Sequence, residues 1–112
     1  MQPLSFEISP REVKQRLDAG ERVRLIDVRE PAEHAIAAIE AAELIPMGSI
    51  PAGLQYLHGI ADESTLIVFC HAGVRSLNVV AWLRERGVEN CQSMAGGIDR
   101  WSEEIDASVP RY

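Results

Sequence analysis

The sequence predicts an α/β protein in which a parallel sheet carries helices on both faces. Apolar runs of strand length alternate along the chain with segments that carry helix-start and helix-stop residues, a pattern typical of parallel sheets. The run at residues 65–69 is the most continuously apolar, as expected for a central strand covered on both faces. With 112 residues, the chain is predicted to form a single domain over residues 1–112.

The first helix is predicted from its capping residues. Residues 9–12 have the form of a capping box, and Pro10 occupies the first helical position. We expect this helix to bury Val13 and Leu17 and to stop at Gly20.

The remaining elements follow from apolar runs and from proline and glycine signals. Strands typically carry short β-branched or apolar runs, whereas helices open at proline and close at glycine. The predicted strands cover residues 23–28, 44–45, 65–69 and 88–94, and the predicted helices open at Pro31, lie near 51–58, cover 75–86 and follow Gly96-Gly97.

Charge and composition exclude several classes of protein. The net charge is −6 and the arginines are scattered, which argues against a nucleic-acid partner. No apolar run is long enough to cross a membrane, and residues 1–7 lack the features of a signal peptide. Cys70 and Cys91 form neither a disulfide framework nor a zinc pattern. We therefore expect a cytoplasmic protein with no metal or organic cofactor.

Cys70 lies where the central strand ends and the next helix begins. The amides and the dipole at a helix N-terminus favour an anion, so a thiol held there is expected to ionise more readily than a free cysteine. Gly73 permits a tight turn, and Arg75 offers a planar donor fork for an oxyanion. The sequence therefore predicts a cup that keeps the sulfur of Cys70 exposed and reactive.

Three segments resemble the single-domain rhodaneses, a family of sulfurtransferases. Together with the order of the predicted elements, they extend the resemblance over nearly the whole chain, and as a set they are highly specific. They are Cys70-His71-Ala72-Gly73-Val74-Arg75-Ser76 for the family's C-x-x-G-x-R-S loop, Leu25-Ile26-Asp27-Val28-Arg29-Glu30 for its L-I-D-V-R-E segment, and Met94-Ala95-Gly96-Gly97-Ile98-Asp99-Arg100-Trp101 for its L-x-G-G-x-x-x-W ending.

The resemblance implies a rhodanese-like three-layer α/β/α fold with a central five-stranded parallel sheet. It also implies that Cys70 takes a sulfane sulfur from a small anionic donor such as thiosulfate, or from another persulfide donor, and becomes a persulfide. The acceptor would be cyanide or a thiol, a thioredoxin-like protein among them. By the same likeness, the persulfide is bound by the amides of His71, Ala72, Gly73, Val74 and Arg75, and Arg75 also holds the anionic donor.

One segment departs from the family pattern. Rhodaneses usually carry H-I-P-G-A after the second helix, where this chain has Ala38-Ile39-Glu40-Ala41-Ala42. Residues 31–43 are alanine-rich and favour helix. We therefore expect the second helix to be longer or to end differently.

The residues around the loop have less specific interpretations. Asp27 is expected to brace the loop rather than to react. Arg29 either attracts an anionic substrate or pairs with an acid at the surface. Ser76, the last residue of the loop motif, is expected to support the site, and His71 to line it. Cys91 is expected in the core rather than as a resolving thiol.

Other functions remain open. Cysteine phosphatases and arsenate reductases of related fold place five residues between cysteine and arginine. Here Cys70 and Arg75 are separated by four, which suits a single sulfur atom better than a phosphoryl group. A persulfide carrier with a dedicated partner, or a non-catalytic interaction module, would preserve the same fold.

Overall fold

The computed structural model describes residues 4–112 and contains one five-stranded sheet in which all strands are parallel, in the order β1-β5-β4-β2-β3. Residues 1–3 lie outside the described residues, and the prediction that residues 1–7 lack the features of a signal peptide falls partly on them. No helix within residues 4–112 is long and apolar enough to cross a membrane. The strands are β1 (Glu7–Ile8), β2 (Val23–Asp27), β3 (Glu43–Leu44), β4 (Thr65–Phe69) and β5 (Cys91–Met94).

Helices cover both faces of this sheet, which confirms the predicted three-layer architecture. β4 occupies the centre, and four of its five residues are buried. Val79, Val80 and Leu83 pack against one face of the sheet, and Val13 and Trp101 belong to the cluster on the other face. The helices are α1 (Pro10–Asp18), α2 (Pro31–Ile36), α3 (Leu54–Ala61), α4 (Val74–Glu85) and α5 (Gly97–Glu104), with a short 3-10 helix at Met47–Ser49.

Helix α1 begins as predicted but buries less than predicted. The side chain of Ser9 accepts a hydrogen bond from the amide of Glu12 at 3.2 Å, which satisfies one of the unpaired donors of the first turn. Val13 is fully buried, whereas Leu17 is 36% exposed. The prediction for Leu17 is wrong because it borders an open cavity of about 580 Å³ next to residues 38–41.

Helix α2 is short, so of the two expected alternatives, a longer helix or a different end, the longer helix is wrong. It ends at Ile36, and Ala37 is extended with φ −151° and ψ 134°. The chain leaves the helix because Ala37 and Ile39 pack into the core and the carbonyl of Ala37 accepts a hydrogen bond from Arg29 Nη2 at 2.6 Å. Tertiary contacts therefore override the helix preference of the alanine-rich segment.

Candidate active site

Cys70 directly follows β4, and its sulfur meets the N-terminal amides of α4. The amide of Gly73 donates to Cys70 Sγ at 3.1 Å, and the amide of Ser76 donates at 3.3 Å. Ser76 Oγ lies 3.4 Å from the same sulfur. The amide of Ser76 lies outside the predicted set at positions 71–75. Three polar groups of the loop and the helix thus converge on one sulfur atom.

The local sequence explains why the loop turns so tightly. Gly73 has a φ of 103°, a left-handed conformation that side chains disfavour. It directly precedes the twelve-residue helix α4. The positive end of the helix dipole and its unpaired amides therefore face the sulfur, which favours a negative charge there.

The sulfur of Cys70 is buried, which contradicts the predicted exposed cup. The residue is only 1% exposed and belongs to one of the two core clusters. The amides that it accepts from belong to Gly73 and Ser76, which are themselves buried. Ala72 and Val74, by contrast, are exposed. A sulfur donor therefore has to reach Sγ past the exposed residues of the loop.

Cys91 provides an internal comparison within the same core. It is fully buried, as predicted, and its Sγ donates to the carbonyl of Val88 at 3.3 Å. Burial raises the pKa of the Cys91 thiol. A carbonyl partner disfavours a thiolate, whereas amide partners favour one. The two buried thiols therefore differ in their hydrogen-bond partners, although Arg84 beside Cys91 partly offsets the effect of burial on its pKa.

Helix α5 holds the outer side of the loop. The amides of Ile98 and Asp99 donate to the carbonyls of Cys70 at 2.9 Å and His71 at 3.1 Å. A Cβ on Gly97 would lie 2.4 Å from the carbonyl oxygen of His71 and 2.5 Å from that of Cys70. Only glycine allows this close approach, so the first turn of α5 fixes the loop through its own backbone.

A buried ion pair lies beside the loop. Asp27 and Arg29 are both fully buried. Arg29 Nη2 donates to Asp27 Oδ2 at 2.7 Å, and Arg29 Nε donates to Asp27 Oδ1 at 3.0 Å. Asp27 thus braces the segment that follows β2, and Arg29 pairs with a neighbouring acid, as one interpretation expected, but in the core rather than at the surface. Its guanidinium is neither at the surface nor open to a substrate, because Asp27 and backbone carbonyls surround it.

Arg75 is paired rather than free. Its Nη1 and Nη2 donate to the two carboxylate oxygens of Glu33 at 2.7 and 2.9 Å. The hydrogen bonds from Arg75, and then from Tyr112, lower the pKa of Glu33 to about 2. Glu33 is therefore charged at every ordinary pH and is a poor general base.

Comparison with known proteins identifies the chain. The model of the rhodanese-like domain matches residues 9–104.

The chain belongs to the rhodanese-like family.

Its relatives include single-domain and larger proteins. The putative sulfurtransferase YtwF of Bacillus subtilis is 36% identical over 98 residues, which are 88% of this chain and 91% of YtwF. The probable adenylyltransferase/sulfurtransferase MoeZ of Mycobacterium tuberculosis is 34% identical over 94% of this chain. The chain spans only about a quarter of the length of MoeZ, 26%. A solved structure from Staphylococcus saprophyticus is 36% identical, with a TM-score of 0.78, and covers 96% of this chain and 100% of its own.

Membership confirms the resemblance drawn from the three motifs and the five-stranded α/β fold. It also supports a sulfurtransferase, the activity for which YtwF and MoeZ are named.

Tyr112 covers one side of this rhodanese-like loop. Its ring stacks on His71, with centroids 4.1 Å apart and planes inclined by 12°. Its hydroxyl donates to Glu33 Oε2 at 2.7 Å and accepts from Arg29 Nη1 at 3.0 Å. His71 therefore lines the site, as expected, but beneath an aromatic ring.

Sequence reasoning missed Glu33, Ser93, Tyr112 and the contact made by Gly97. Glu33 forms a capping box with Glu30 at the start of α2, and the sequence E-P-A-E could have indicated that box. Ser93 Oγ lies 2.7 Å from Ser76 Oγ and carries no local signal. The contacts of Glu33 with Arg75 and of Tyr112 with His71 join residues more than 40 positions apart, so local patterns cannot reveal them.

Proposed function

We propose that the protein is a sulfurtransferase that carries a sulfane sulfur on Cys70 as a persulfide. The observation that supports this most strongly is the pair of amides, from Gly73 and Ser76, that donate to Sγ at the N-terminus of α4. Each hydrogen bond to a charged acceptor contributes about 1.5–3 kcal/mol, so two of them favour the thiolate that attack on sulfur requires.

The reaction is a double displacement. The Cys70 thiolate attacks the outer sulfur of thiosulfate, the bond between the two donor sulfurs breaks, and sulfite leaves with the electron pair. The Cys70 persulfide then gives its outer sulfur to cyanide, which leaves as thiocyanate, or to a thiolate, which becomes a persulfide. The Cys70 thiolate is regenerated in either case, and no external oxidant or reductant is consumed.

The loop supplies binding groups for both states of the sulfur. The outer sulfur of a persulfide would lie about 2.05 Å beyond Sγ, and we expect the amides at positions 71–75 to bind it. Ser76, in turn supported by Ser93, orients the inner sulfur. Asp27 and Arg29 act as positioning residues that fix the segment between β2 and α2.

The proposed setting is a reducing compartment such as the cytoplasm, where Cys70 stays reduced between turnovers. A thioredoxin-like protein is one candidate for the thiol acceptor. A dedicated persulfide carrier would use the same loading step and differ only in discharging slowly to cyanide.

Steady-state kinetics test the double displacement. With thiosulfate or a thiosulfonate as donor and cyanide as acceptor, initial rates at several fixed donor concentrations should give parallel double-reciprocal lines. Intersecting lines would indicate a ternary complex and contradict a persulfide released from its donor before the acceptor binds. Complete absence of transfer to cyanide and to small dithiols would contradict the proposed activity itself.

A further inference from the structure

The guanidinium of Arg75 already has a carboxylate partner. Glu33 engages both terminal nitrogens of Arg75, and it is itself held by the hydroxyl of Tyr112 at 2.7 Å and by the amide of Glu30 at 3.2 Å. These four donors fix the carboxylate from several sides. A donor anion that binds Arg75 at its terminal nitrogens therefore has to displace a well-anchored carboxylate.

The other arginines around the loop are paired in the same way. Arg29 is paired with Asp27. Arg111 contacts both carboxylate oxygens of Asp99 at 2.9 and 3.0 Å, and Asp99 belongs to the turn of α5 that holds the loop. These three pairs sum to zero charge, and the whole chain carries −6. The charged side chains therefore give an approaching dianion no net attraction.

We propose that Glu33 determines donor specificity by neutralising Arg75, so that the site favours sulfur donors of low negative charge, such as thiosulfonates and persulfides, over the thiosulfate dianion. This inference rests on the proposed sulfurtransferase function. Glu33 acts through Arg75 and takes no part in the sulfur chemistry. Since its pKa is about 2, Glu33 neutralises Arg75 throughout the pH range of an ordinary assay.

The test compares two donors that differ by one charge, thiosulfate and methanethiosulfonate, with the variant Glu33→Gln. Glutamine can place its carbonyl oxygen where Oε1 accepts from the amide of Glu30, so the helix cap is preserved, and its amide nitrogen can donate to the hydroxyl of Tyr112. One uncompensated positive charge at about 5 Å in a water-like dielectric raises kcat/KM about fourfold for the monoanion and about sixteenfold for the dianion. The gain for thiosulfate should thus be close to the square of the gain for methanethiosulfonate.

The matched control is Glu63→Gln. Glu63 is exposed in the turn before β4, at the opposite end of a five-residue strand that spans about 17 Å. The Glu63→Gln substitution removes the same charge from the chain. It should change kcat/KM for each donor by less than about twofold, because solvent and salt screen charges at that distance.

The two failures are distinguishable. If the wild-type protein transfers sulfur from both donors but Glu33→Gln leaves their ratio of kcat/KM unchanged, the specificity inference is wrong and the proposed function stands. If the wild-type protein transfers sulfur from neither donor, the function is wrong and the inference falls with it. Equal gains for both donors would indicate a rearranged loop and would also overturn the inference.

A measurement on the wild-type protein keeps the inference testable if the variant does not fold. Between about 0.02 and 0.5 M ionic strength, kcat/KM for thiosulfate should stay level or rise, because added salt screens no net attraction. A fall of several-fold would reveal a net positive site and overturn the inference.

Discussion

Replacing Cys70 with alanine is expected to lower the rate of sulfur transfer by at least about a thousandfold, because removal of a covalent nucleophile leaves only binding to assist the reaction. The substitution deletes one buried sulfur and the acceptor of two amides. The variant is therefore expected to fold with a modest loss of stability, about 1–2 kcal/mol. The rate of thiocyanate formation measures the loss of activity. Circular dichroism, followed during unfolding, measures the loss of stability.

Cys91→Ala is the matched control. Cys91 is as deeply buried as Cys70, but its thiol contacts a carbonyl rather than amides. We expect this variant to lose stability by a similar amount while keeping kcat/KM within about threefold of the wild type, since only a core contact is lost. Activity that survives in Cys70→Ala, or that vanishes in a folded Cys91→Ala, would contradict the proposal that Cys70 carries the transferred sulfur.

Replacing Gly97 with alanine is expected to have the largest effect on stability. The added Cβ would lie 2.4–2.5 Å from the carbonyl oxygens of His71 and Cys70. Both atoms belong to the backbone at Cys70 and His71, so this segment or α5 must move. The φ of 61° adds a conformational cost of about 1–2 kcal/mol. We expect a total loss of at least about 3 kcal/mol, together with a tenfold or greater loss of activity in the protein that remains folded.

Gly20→Ala separates the two causes of that loss. Gly20 also has a positive φ, 73°, but a Cβ there would meet no atom within 4 Å. This control therefore isolates the cost of the backbone conformation, about 1–2 kcal/mol, and should leave sulfur transfer unchanged. Chemical denaturation of the two variants, fitted with a common m-value, compares their free energies of unfolding. Equal destabilisation by both substitutions would show that the contact between α5 and the loop is unimportant.

The sequence predicted the elements that have a strong local signal. The proline-started helices α1 and α2, the apolar strand β4 and the loop from Cys70 to Ser76 were all predicted from short-range patterns. β1 was not, because a two-residue strand shows no periodicity and forms only by pairing with β5. The five-strand count came from the resemblance instead.

The errors have a common physical origin. The end of α2, the burial of Arg29 and the pairing of Arg75 all depend on partners that the folded chain brings from a distance or from the core. Intrinsic helix preference is a weak prior that such contacts override. The exposure of Cys70 was wrong for a related reason. The sulfur accepts from the amides of Gly73 and Ser76, and both of these residues are buried.

The most direct measurement of the central proposal is peptide mass analysis of the protein after treatment with thiosulfate or a thiosulfonate. We expect one additional sulfur atom on the peptide that contains Cys70, none on the peptide that contains Cys91, and stoichiometric release of that sulfur as thiocyanate when cyanide is added. A protein that gains no sulfur from either donor, or that gains it at Cys91, would contradict the proposed function.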